Sequence, residues 1–201
     1  MPRVDRRPRR RLNAEERRAA ILDSAKIEFS TNAYQHVSVA AIGATAGASE
    51  ALVLRYFSSK AELYVTVVMT AIESLLEAQR DADDALDPRA TPQTRLATSV
   101  TVYLDFVATR PTGWAGPFHH PYGEPAEAAL LRRQLRDRYV GLLRDTFSLE
   151  PAQPRDHALY GYLGFLDAAC LSWVERGCPD PDRPAITAMV IAALDGALAA
   201  T

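Results

Sequence analysis

The segment at residues 38–63, SVAAIGATAGASEALVLRYFSSKAEL, contains two short helical patterns on either side of a glycine-containing turn. Ser38 and Ser49 are of the residue type that often caps a helix N terminus, and Gly47 is typical of a helix C terminus. Apolar residues recur at helical spacing after the first serine. Two short helices joined by such a turn form a helix-turn-helix. The predicted helices cover residues 39–46 and 50–57.

Helical patterns continue on both sides of this segment. Upstream, Asn13 and Glu16 have the spacing of a capping box, and apolar residues at helical spacing then predict a first helix of about four turns. Downstream, Ser59 and Glu62 form a second capping-box pattern. It begins a fourth helix, which we expect to end in the acidic stretch at residues 81–84.

The rest of the chain also favours helices, and no strand-like alternation is found. Thr91 and Pro92 have the order of an N-cap and a first helical residue, and Pro111 predicts that this helix ends near Arg110. Residues 111–125 are rich in proline, glycine and aromatic residues, and we expect the part from Trp114 to His120 to be a movable lid or pocket wall. Further helices are expected at residues 127–147, 155–176 and 183–200.

The charge distribution is asymmetric, although the 201-residue chain has a net charge of only −2. Residues 1–60 hold 11 Lys and Arg against 6 Asp and Glu, whereas residues 61–201 hold 12 against 19. A basic front end on an acidic body indicates that the front end faces a polyanion. For the arginine-rich residues 1–11 alone, a solvated disordered tail is an equal alternative.

Composition excludes several classes of protein. Cys170 and Cys178 are eight residues apart, which fits neither a disulfide framework nor a Cys-x-x-Cys metal pair. The longest nearly uncharged run, residues 158–174, is too short for a comfortable membrane span and contains Asp167. No apolar signal segment follows the N-terminal arginines. We therefore expect a cytoplasmic protein with no membrane partner and no cofactor.

The stretches AAIGATAGAS at residues 40–49 and RYFSSKAEL at residues 55–63 follow a first helix that carries Ala25 and Phe29. Together they resemble the TetR/AcrR family of bacterial transcriptional regulators, over about residues 14–65. The resemblance implies an all-α, two-domain protein of about nine helices. The implied parts are a flexible basic arm at 1–12, a helix-turn-helix DNA-binding domain at 13–59, and a helical effector-binding and dimerisation domain at 60–201.

The sequence departs from the family pattern in two places. Ala33 stands where the family usually has glycine, and ALVL at residues 51–54 replaces a usual Gly-Thr-Leu-Tyr run. Leu54 thus occupies the position of a tyrosine that commonly touches DNA in the family. This departure leaves the operator sequence open, whereas the predicted fold is unaffected.

The third predicted helix is short enough to enter a DNA major groove, which is about 12 Å wide. Val53 and Phe57 are expected to face the helical bundle, and the outward residues are then free to contact bases. Leu54 suits a thymine methyl group, Glu50 a cytosine amino group, and Arg55 guanine or phosphate. An alternative for Glu50 is that it only complements the helix dipole.

Further DNA contacts are implied by the resemblance. Three residues match family phosphate contacts: Ser38, Tyr56 and Lys60. The alternatives are that Ser38 is only a helix cap, that Tyr56 packs in the core, and that Lys60 is a solvated lysine. The basic arm is suited to the adjacent minor groove or to phosphates. The complete set of candidate DNA-binding residues is Ser38, Ser49, Glu50, Ala51, Leu54, Arg55, Tyr56, Lys60, Arg9, Arg10 and Arg11.

The last two predicted helices suggest how the chain associates. The helix after residue 155 is apolar on nearly every side and includes Gly161 and Gly164, which suits a helix that is buried in its own chain and against a partner. The resemblance implies a homodimer on a palindromic DNA operator, with a four-helix interface formed by the last two helices. An ordinary monomeric core is the alternative.

An effector pocket is expected inside the helical body, where aromatic residues and an isolated charge fall within apolar helices. We expect a small apolar or amphipathic effector. No metal site is expected, because the adjacent His119 and His120 do not share a helix face and no carboxylate or cysteine lies at ligand spacing nearby. The candidate ligand-binding residues are Tyr103, Phe106, Trp114, Phe118, His119, Tyr139, Tyr162, Phe165 and Asp167.

These observations favour a homodimeric DNA-binding regulator that is a repressor released by its ligand. One alternative is an all-α enzyme or lipid-binding protein with a degenerate helix-turn-helix. No nucleophile, Walker or zinc motif supports it, and no catalytic residue is expected. A second alternative keeps DNA binding but makes the protein an activator or a ligand-blind regulator.

Overall fold

The computed structural model describes residues 12–120 and 122–201. Within these residues the chain forms nine α-helices and no strand, as the sequence predicts. Short 3-10 turns at Tyr34–His36 and Asp180–Asp182 precede α2 and α9. The helices are α1 (Ala14–Thr31), α2 (Val39–Ala46), α3 (Glu50–Tyr56), α4 (Lys60–Asp84), α5 (Pro92–Ala108), α6 (Pro111–His119), α7 (Ala126–Phe147), α8 (Gln153–Glu175) and α9 (Arg183–Ala199).

The first helices begin at the predicted capping residues. The Asn13 side chain accepts a hydrogen bond from the Glu16 amide at 2.8 Å, and the Glu16 carboxylate accepts one from the Asn13 amide at 2.9 Å. Ser59 Oγ likewise accepts from the Glu62 amide at 3.1 Å at the start of α4. Helix α1 has 18 residues, or about five turns, and is one turn longer than predicted.

The turn between α2 and α3 depends on two glycines. Gly47 has φ 61° and ψ 38°, a left-handed conformation in which a side chain is strained. A Cβ atom at Gly43 would lie 2.8 Å from the carbonyl oxygen of Ala48. The close crossing of the two helices therefore requires glycine at position 43.

The N-terminal core extends past α3 into the next helix. Buried side chains from the first half of α4 complete the core that α1, α2 and α3 begin, and Ala128 of α7 packs into it. The core thus continues beyond residue 59, where the sequence suggests a domain boundary. Its buried members are Ile21, Ala25, Phe29, Val37, Val39, Ile42, Val53, Phe57, Leu63, Tyr64, Val67, Val68 and Ala128.

A second core fills the body, between α5, α6, α7, α8 and α9. Trp173 is fully buried there, and its indole N–H donates to the carbonyl oxygen of Pro179 at 2.9 Å. This bond holds the connection between α8 and α9, which pack against each other. Across residues 12–120 and 122–201, none of the helices has both the length and the hydropathy needed to span a membrane.

The expectation of a connection without a helix after Pro111 is wrong for residues 111–119, which form helix α6. Proline supplies the first helical residue there, because its fixed φ suits that position. Trp114 is 6% exposed and anchors α6 in the body core. Gly113 faces α1 so closely that a Cβ atom would sit inside van der Waals contact with the carbonyl oxygen of Phe29. Tertiary packing thus overrides a composition that disfavours a helix.

Candidate DNA-binding face and ligand cavity

Helix α3 has one side in the core and the other in solvent. Val53 is 1% exposed and Phe57 is fully buried, whereas Leu54 is 39% exposed. This is the predicted orientation of the helix. That its outer side contacts DNA stays a prediction. The exposed face consists of Glu50, Ala51, Leu54 and Arg55.

Two arginines of α1 contact the helix-turn-helix, one at the turn between α2 and α3 and one at Phe57. The Arg17 guanidinium donates to the carbonyl oxygens of Ala46 and Gly47, at 3.2 and 3.3 Å. The Arg18 guanidinium lies 4.7 Å from the ring centre of Phe57. Sequence reasoning missed both roles, because two adjacent arginines on a helix have the same pattern as a solvated surface.

The two serines of the helix-turn-helix act as caps. Ser38 Oγ accepts from the Ala41 amide at 3.0 Å, and Ser49 Oγ accepts from the Leu52 amide at 3.2 Å. Both residues are exposed. Each hydroxyl retains its own hydrogen as a donor, so capping is compatible with the predicted phosphate contact.

Lys60 and Tyr56 lie beside this surface. The Lys60 ammonium lies 4.2 Å from the ring centre of Tyr34, and partial burial lowers the pKa of Lys60. Tyr56 is half-buried and packs against the N-terminal core. The predicted contacts of Arg9, Arg10 and Arg11 lie outside the described residues.

A cavity of about 280 Å³ opens in the body, and we call it the effector cavity. Helices α4 to α8 supply its walls, and α6 also packs against α1. Seven of the nine predicted ligand-binding residues line it: Tyr103, Phe106, Trp114, Phe118, Tyr139, Tyr162 and Asp167. The other lining residues are Ile72, Leu75, Gln79, Leu96, Ser99, Val100, Pro117, Arg132, Arg133, Leu135, Arg136, Leu143, Leu163 and Leu166.

His119 and Phe165 are the two predicted ligand-binding residues that the structure places elsewhere. His119 is exposed at the end of α6 and does not line the effector cavity. Phe165 is 42% exposed, because the buried face of α8 is formed by Tyr162, Leu163 and Leu166. Aromatic character alone did not reveal which side of its helix each residue occupies.

Buried polar groups in the effector cavity form a connected network. The Trp114 indole N–H donates to the Tyr103 hydroxyl at 2.9 Å, and that hydroxyl donates to the Asp167 carboxylate at 3.3 Å. Arg136 of α7 forms an ion pair with Asp167. Burial raises the pKa of Asp167 above 3.8, and the charge of Arg136 opposes that shift. The network gives an otherwise apolar cavity a small number of oriented polar groups.

Several polar lining residues were missed by sequence reasoning. Gln79 accepts a hydrogen bond from the Tyr139 hydroxyl at 2.6 Å and donates to Ser99. Arg132, Arg133 and Arg136 of α7 also line the cavity. Their closely spaced positive charges predict a solvated helix face, and no pattern in α7 distinguishes an arginine that turns inward.

A second buried network connects α4 to α7. The Tyr64 hydroxyl donates to the Glu124 carboxylate at 2.9 Å, and the Arg132 guanidinium donates to the same carboxylate at 3.2 Å. The Glu124 side chain is 5% exposed. Burial raises the pKa of Tyr64 to about 12. The network therefore fixes the first turns of α4 against the body.

Helices α8 and α9 expose apolar stripes. Between His157 and Glu175, the exposed positions of α8 carry no charged side chain. In α9, Met189 is 49% exposed among alanines. A Cβ atom at any of three glycines on these helices would meet open space. The exposed residues are Tyr160, Gly161, Gly164, Phe165, Ala168 and Ser172 in α8, and Pro184, Ala185, Ala188, Met189, Ala192, Asp195, Gly196 and Ala199 in α9.

Sequence comparisons support the assignment of the N-terminal region. Residues 21–67 match the family described as bacterial regulatory proteins, tetR family. The HTH-type transcriptional activator FasR of Mycolicibacterium smegmatis is 30% identical over 123 residues, which are 61% of this chain and 55% of FasR. The match therefore spans little more than half the length of that curated relative.

Solved structures share the whole fold. A tetR-family transcriptional regulator from Streptomyces coelicolor is similar with a TM-score of 0.80 and 23% identity, over 94% of this chain and 85% of that chain. FadR from Bacillus subtilis, solved in complex with stearoyl-CoA, is similar with a TM-score of 0.68 and 16% identity, over 88% and 96%. At these identities the likeness shows the fold alone.

Proposed function

Because this chain belongs to the TetR family of bacterial transcriptional regulators, we propose that it binds DNA operators as a homodimer and releases them when a small molecule enters the effector cavity. The observation that carries the proposal is the arrangement of α3. Its inner side is held by the buried Val53 and Phe57, and the side chains opposite them are exposed. A short, rigid helix with a free outer face suits insertion into a major groove.

The exposed face of α3 supplies the proposed base contacts. Leu54 packs against a thymine methyl group, and Arg55 donates to guanine or to phosphate. Ala51 is small and lets the helix approach the base edges closely. Ser38 and Lys60 flank this face, and their donors fix the register on the phosphates.

Homodimerisation through α8 and α9 is supported by the apolar stripes on these helices. The exposed side of α8 between His157 and Glu175 carries no charge, and exposure of Phe165 there and of Met189 on α9 is unfavourable for a monomer. Two α8–α9 pairs from two copies would bury it in a four-helix interface. A two-fold symmetric dimer presents two α3 helices, and its operator is then palindromic.

The proposed effector is a small apolar or amphipathic molecule. The effector cavity is close to the lower end of the ~300–1,000 Å³ range of ligand pockets, and its walls are mainly aromatic and aliphatic. The FadR structure from Bacillus subtilis contains stearoyl-CoA. That ligand, in a protein of the same fold, supports an apolar chain as the occupant of this cavity.

Helix α6 connects the effector cavity to the DNA-binding domain. Trp114, Pro117 and Phe118 of α6 line the cavity, and Gly113 contacts the backbone of α1 at Phe29. A ligand that displaces α6 must therefore also move α1 or open this contact. Binding then favours a conformation in which the two α3 helices no longer match successive major grooves.

The direction of regulation has two candidates. We propose a repressor that its ligand releases, which requires only that DNA and ligand favour different conformations. The second candidate is an activator, and the name of FasR as a transcriptional activator favours it. A reporter gene under the selected operator separates the two, because deletion of this chain raises expression for a repressor and lowers it for an activator.

The proposal is tested by selecting genomic fragments that the full chain binds and measuring affinity for the best fragment against salt concentration. We expect log K to fall with log salt with a slope of about −0.9 per phosphate contact. Arg55→Ala weakens binding, whereas Arg138→Ala removes an equally exposed charge from the body and leaves it unchanged. Failure to select any fragment, or equal binding by both variants, contradicts the proposal.

A further inference from the structure

A second cavity, of about 330 Å³, lies between α1 and the body, and we call it the junction cavity. It is bounded by α1, by α4 and by the connection of α5 to α6. The two cavities adjoin, because four residues line both of them. A molecule that occupied both cavities would extend from the body toward α1. The shared residues are Ile72, Phe106, Trp114 and Arg132.

Three cations line the junction cavity, and they differ in their partners. Lys26 pairs with Asp23 at 3.1 Å, and Arg132 pairs with Glu124 at 3.2 Å. Arg110 lies on the ring of Phe106, with its guanidinium carbon 3.8 Å from the ring centre.

Arg110 is the cation of this cavity that lacks an anion. Within residues 12–120 and 122–201 no carboxylate pairs with it, and its buried Nη1 atom has no hydrogen-bond acceptor. A buried charged donor without an acceptor is costly, since burial removes the water that would otherwise bond to it. Burial accordingly lowers the pKa of Arg110. An anion in the junction cavity, which Arg110 lines, would supply the missing charge.

A planar guanidinium is well suited to that anion. It presents parallel N–H donors to a carboxylate or phosphate, and a neighbouring aromatic ring holds its plane in place. Arg133, which lines the effector cavity, is exposed to solvent. Water and salt screen an exposed charge, so Arg133 gains less from an anion than Arg110 does.

We infer that the effector is an anionic amphipath whose apolar chain fills the effector cavity and whose charged group binds Arg110 in the junction cavity. The inference rests on the proposed function, since it names the chemistry of the effector. The charged group then lies between α1 and α6, next to the contact that couples the cavity to the DNA-binding domain. The carboxylate of a fatty acid and the phosphates of an acyl thioester share this chemistry.

The test is competition binding to the full chain, with N-phenyl-1-naphthylamine as a neutral fluorescent probe. Dodecanoate, 1-dodecanol and lauroyl-CoA are the competitors, and they share a twelve-carbon chain. We expect dodecanoate or lauroyl-CoA to displace the probe at a concentration at least about tenfold lower than dodecanol does, as befits a charge-assisted contact. Which of the two anions is preferred identifies carboxylate or phosphate as the bound group.

Two variants locate the contact. Arg110→Gln abolishes the preference for the anion and leaves dodecanol binding unchanged, and Arg110→Lys retains part of the preference. Arg138→Gln is the matched control, because Arg138 is exposed on α7 and lines neither cavity, and it keeps the full preference. Circular dichroism and thermal melting establish that each variant is folded, and probe binding itself reports an intact cavity. If dodecanol competes as well as both anions, or if Arg110→Gln keeps the preference, the inference is wrong.

DNA binding by the same preparations separates this inference from the proposed function. Salt-dependent binding to the selected fragment, without an Arg110-dependent preference for anions, overturns the effector chemistry and leaves the regulator intact. An Arg110-dependent preference in a chain that binds no fragment supports the anion site and overturns regulation through DNA.

Discussion

Replacing Gly113 by alanine tests the contact between α6 and α1. A Cβ atom there would lie 3.1 Å from the Cα atom of Ser30 and inside van der Waals contact with the carbonyl oxygen of Phe29. Both are backbone atoms, so no side-chain rotation relieves the overlap. Helix α6 must shift away from α1, or α1 must move with the helix-turn-helix that it supports.

The magnitude follows from two opposing effects. Overpacking against a backbone costs about 1–3 kcal/mol, and exchange of a helical glycine for alanine returns up to about 1 kcal/mol. Gly116 is the matched control, because it lies in the same helix and a Cβ atom there meets nothing within 4 Å. The difference between the two variants isolates the overlap, and it should lower the melting temperature of Gly113→Ala by about 2–12 °C relative to Gly116→Ala.

Thermal melting followed by circular dichroism at 222 nm measures this difference, and affinity for the selected DNA fragment measures its functional effect. We expect Gly113→Ala to alter DNA affinity without ligand and Gly116→Ala to leave it unchanged. Equal melting temperatures for the two variants would refute the close α1–α6 contact. A lower melting temperature with unaltered DNA affinity would refute α6 as the connection between cavity and DNA.

Three further predictions concern the turn, the buried carboxylate and the apolar stripe. Arg17→Ala removes donors to the α2–α3 turn and should lower the free energy of unfolding by about 1 kcal/mol. Lys26→Ala, which removes an exposed ion pair, should lower it by less. Equal losses for the two variants in chemical denaturation would contradict a stabilising role of Arg17 at the turn. Because burial raises the pKa of Asp167, its stabilising contribution is present below the unfolded value of about 3.8 and is lost as pH rises through the raised value. Urea unfolding should therefore show the wild type gaining stability relative to Asp167→Asn as pH falls, and a constant difference contradicts this. Ala168→Glu should convert a dimer to monomers in light scattering while Gln134→Glu does not, and a persistent dimer excludes α8 from the interface.

The sequence predicts the helices well where local chemistry sets their ends. Ser38, Ser49 and Ser59 each cap the helix expected of them, and Gly47 adopts the left-handed conformation that its position suggests. These interactions span three or four residues, so they can be recognised without knowledge of the tertiary structure. Helix α6 could not be recognised in this way, because burial of Trp114 against distant helices stabilises it.

The lining of the effector cavity likewise divides into residues that local sequence pattern predicts and residues whose direction depends on tertiary contacts. Six of the aromatic residues that line it were predicted, because large apolar side chains in amphipathic helices often face the interior, whereas Phe165 faces outward. The inward arginines were not, because their direction depends on partners far along the chain, such as Asp167 for Arg136. Arg110 is a stronger case, since only the assembled structure shows that its guanidinium lies on the ring of Phe106 and that its buried Nη1 atom has no acceptor.

The extension of the N-terminal core into α4 limits how this chain can be recombined with others of the same fold. A chimera joined at residue 59 would keep Val53 and Phe57 but exchange Leu63, Tyr64 and Val67, which complete their packing. The transplanted helix-turn-helix would then pack against α4 side chains of another protein, which do not complement it. A junction within α4 after residue 68 preserves that packing, and the complementary residue Ala128 of α7 must be transferred with it. The N-terminal core of this chain is therefore portable only as a discontinuous unit.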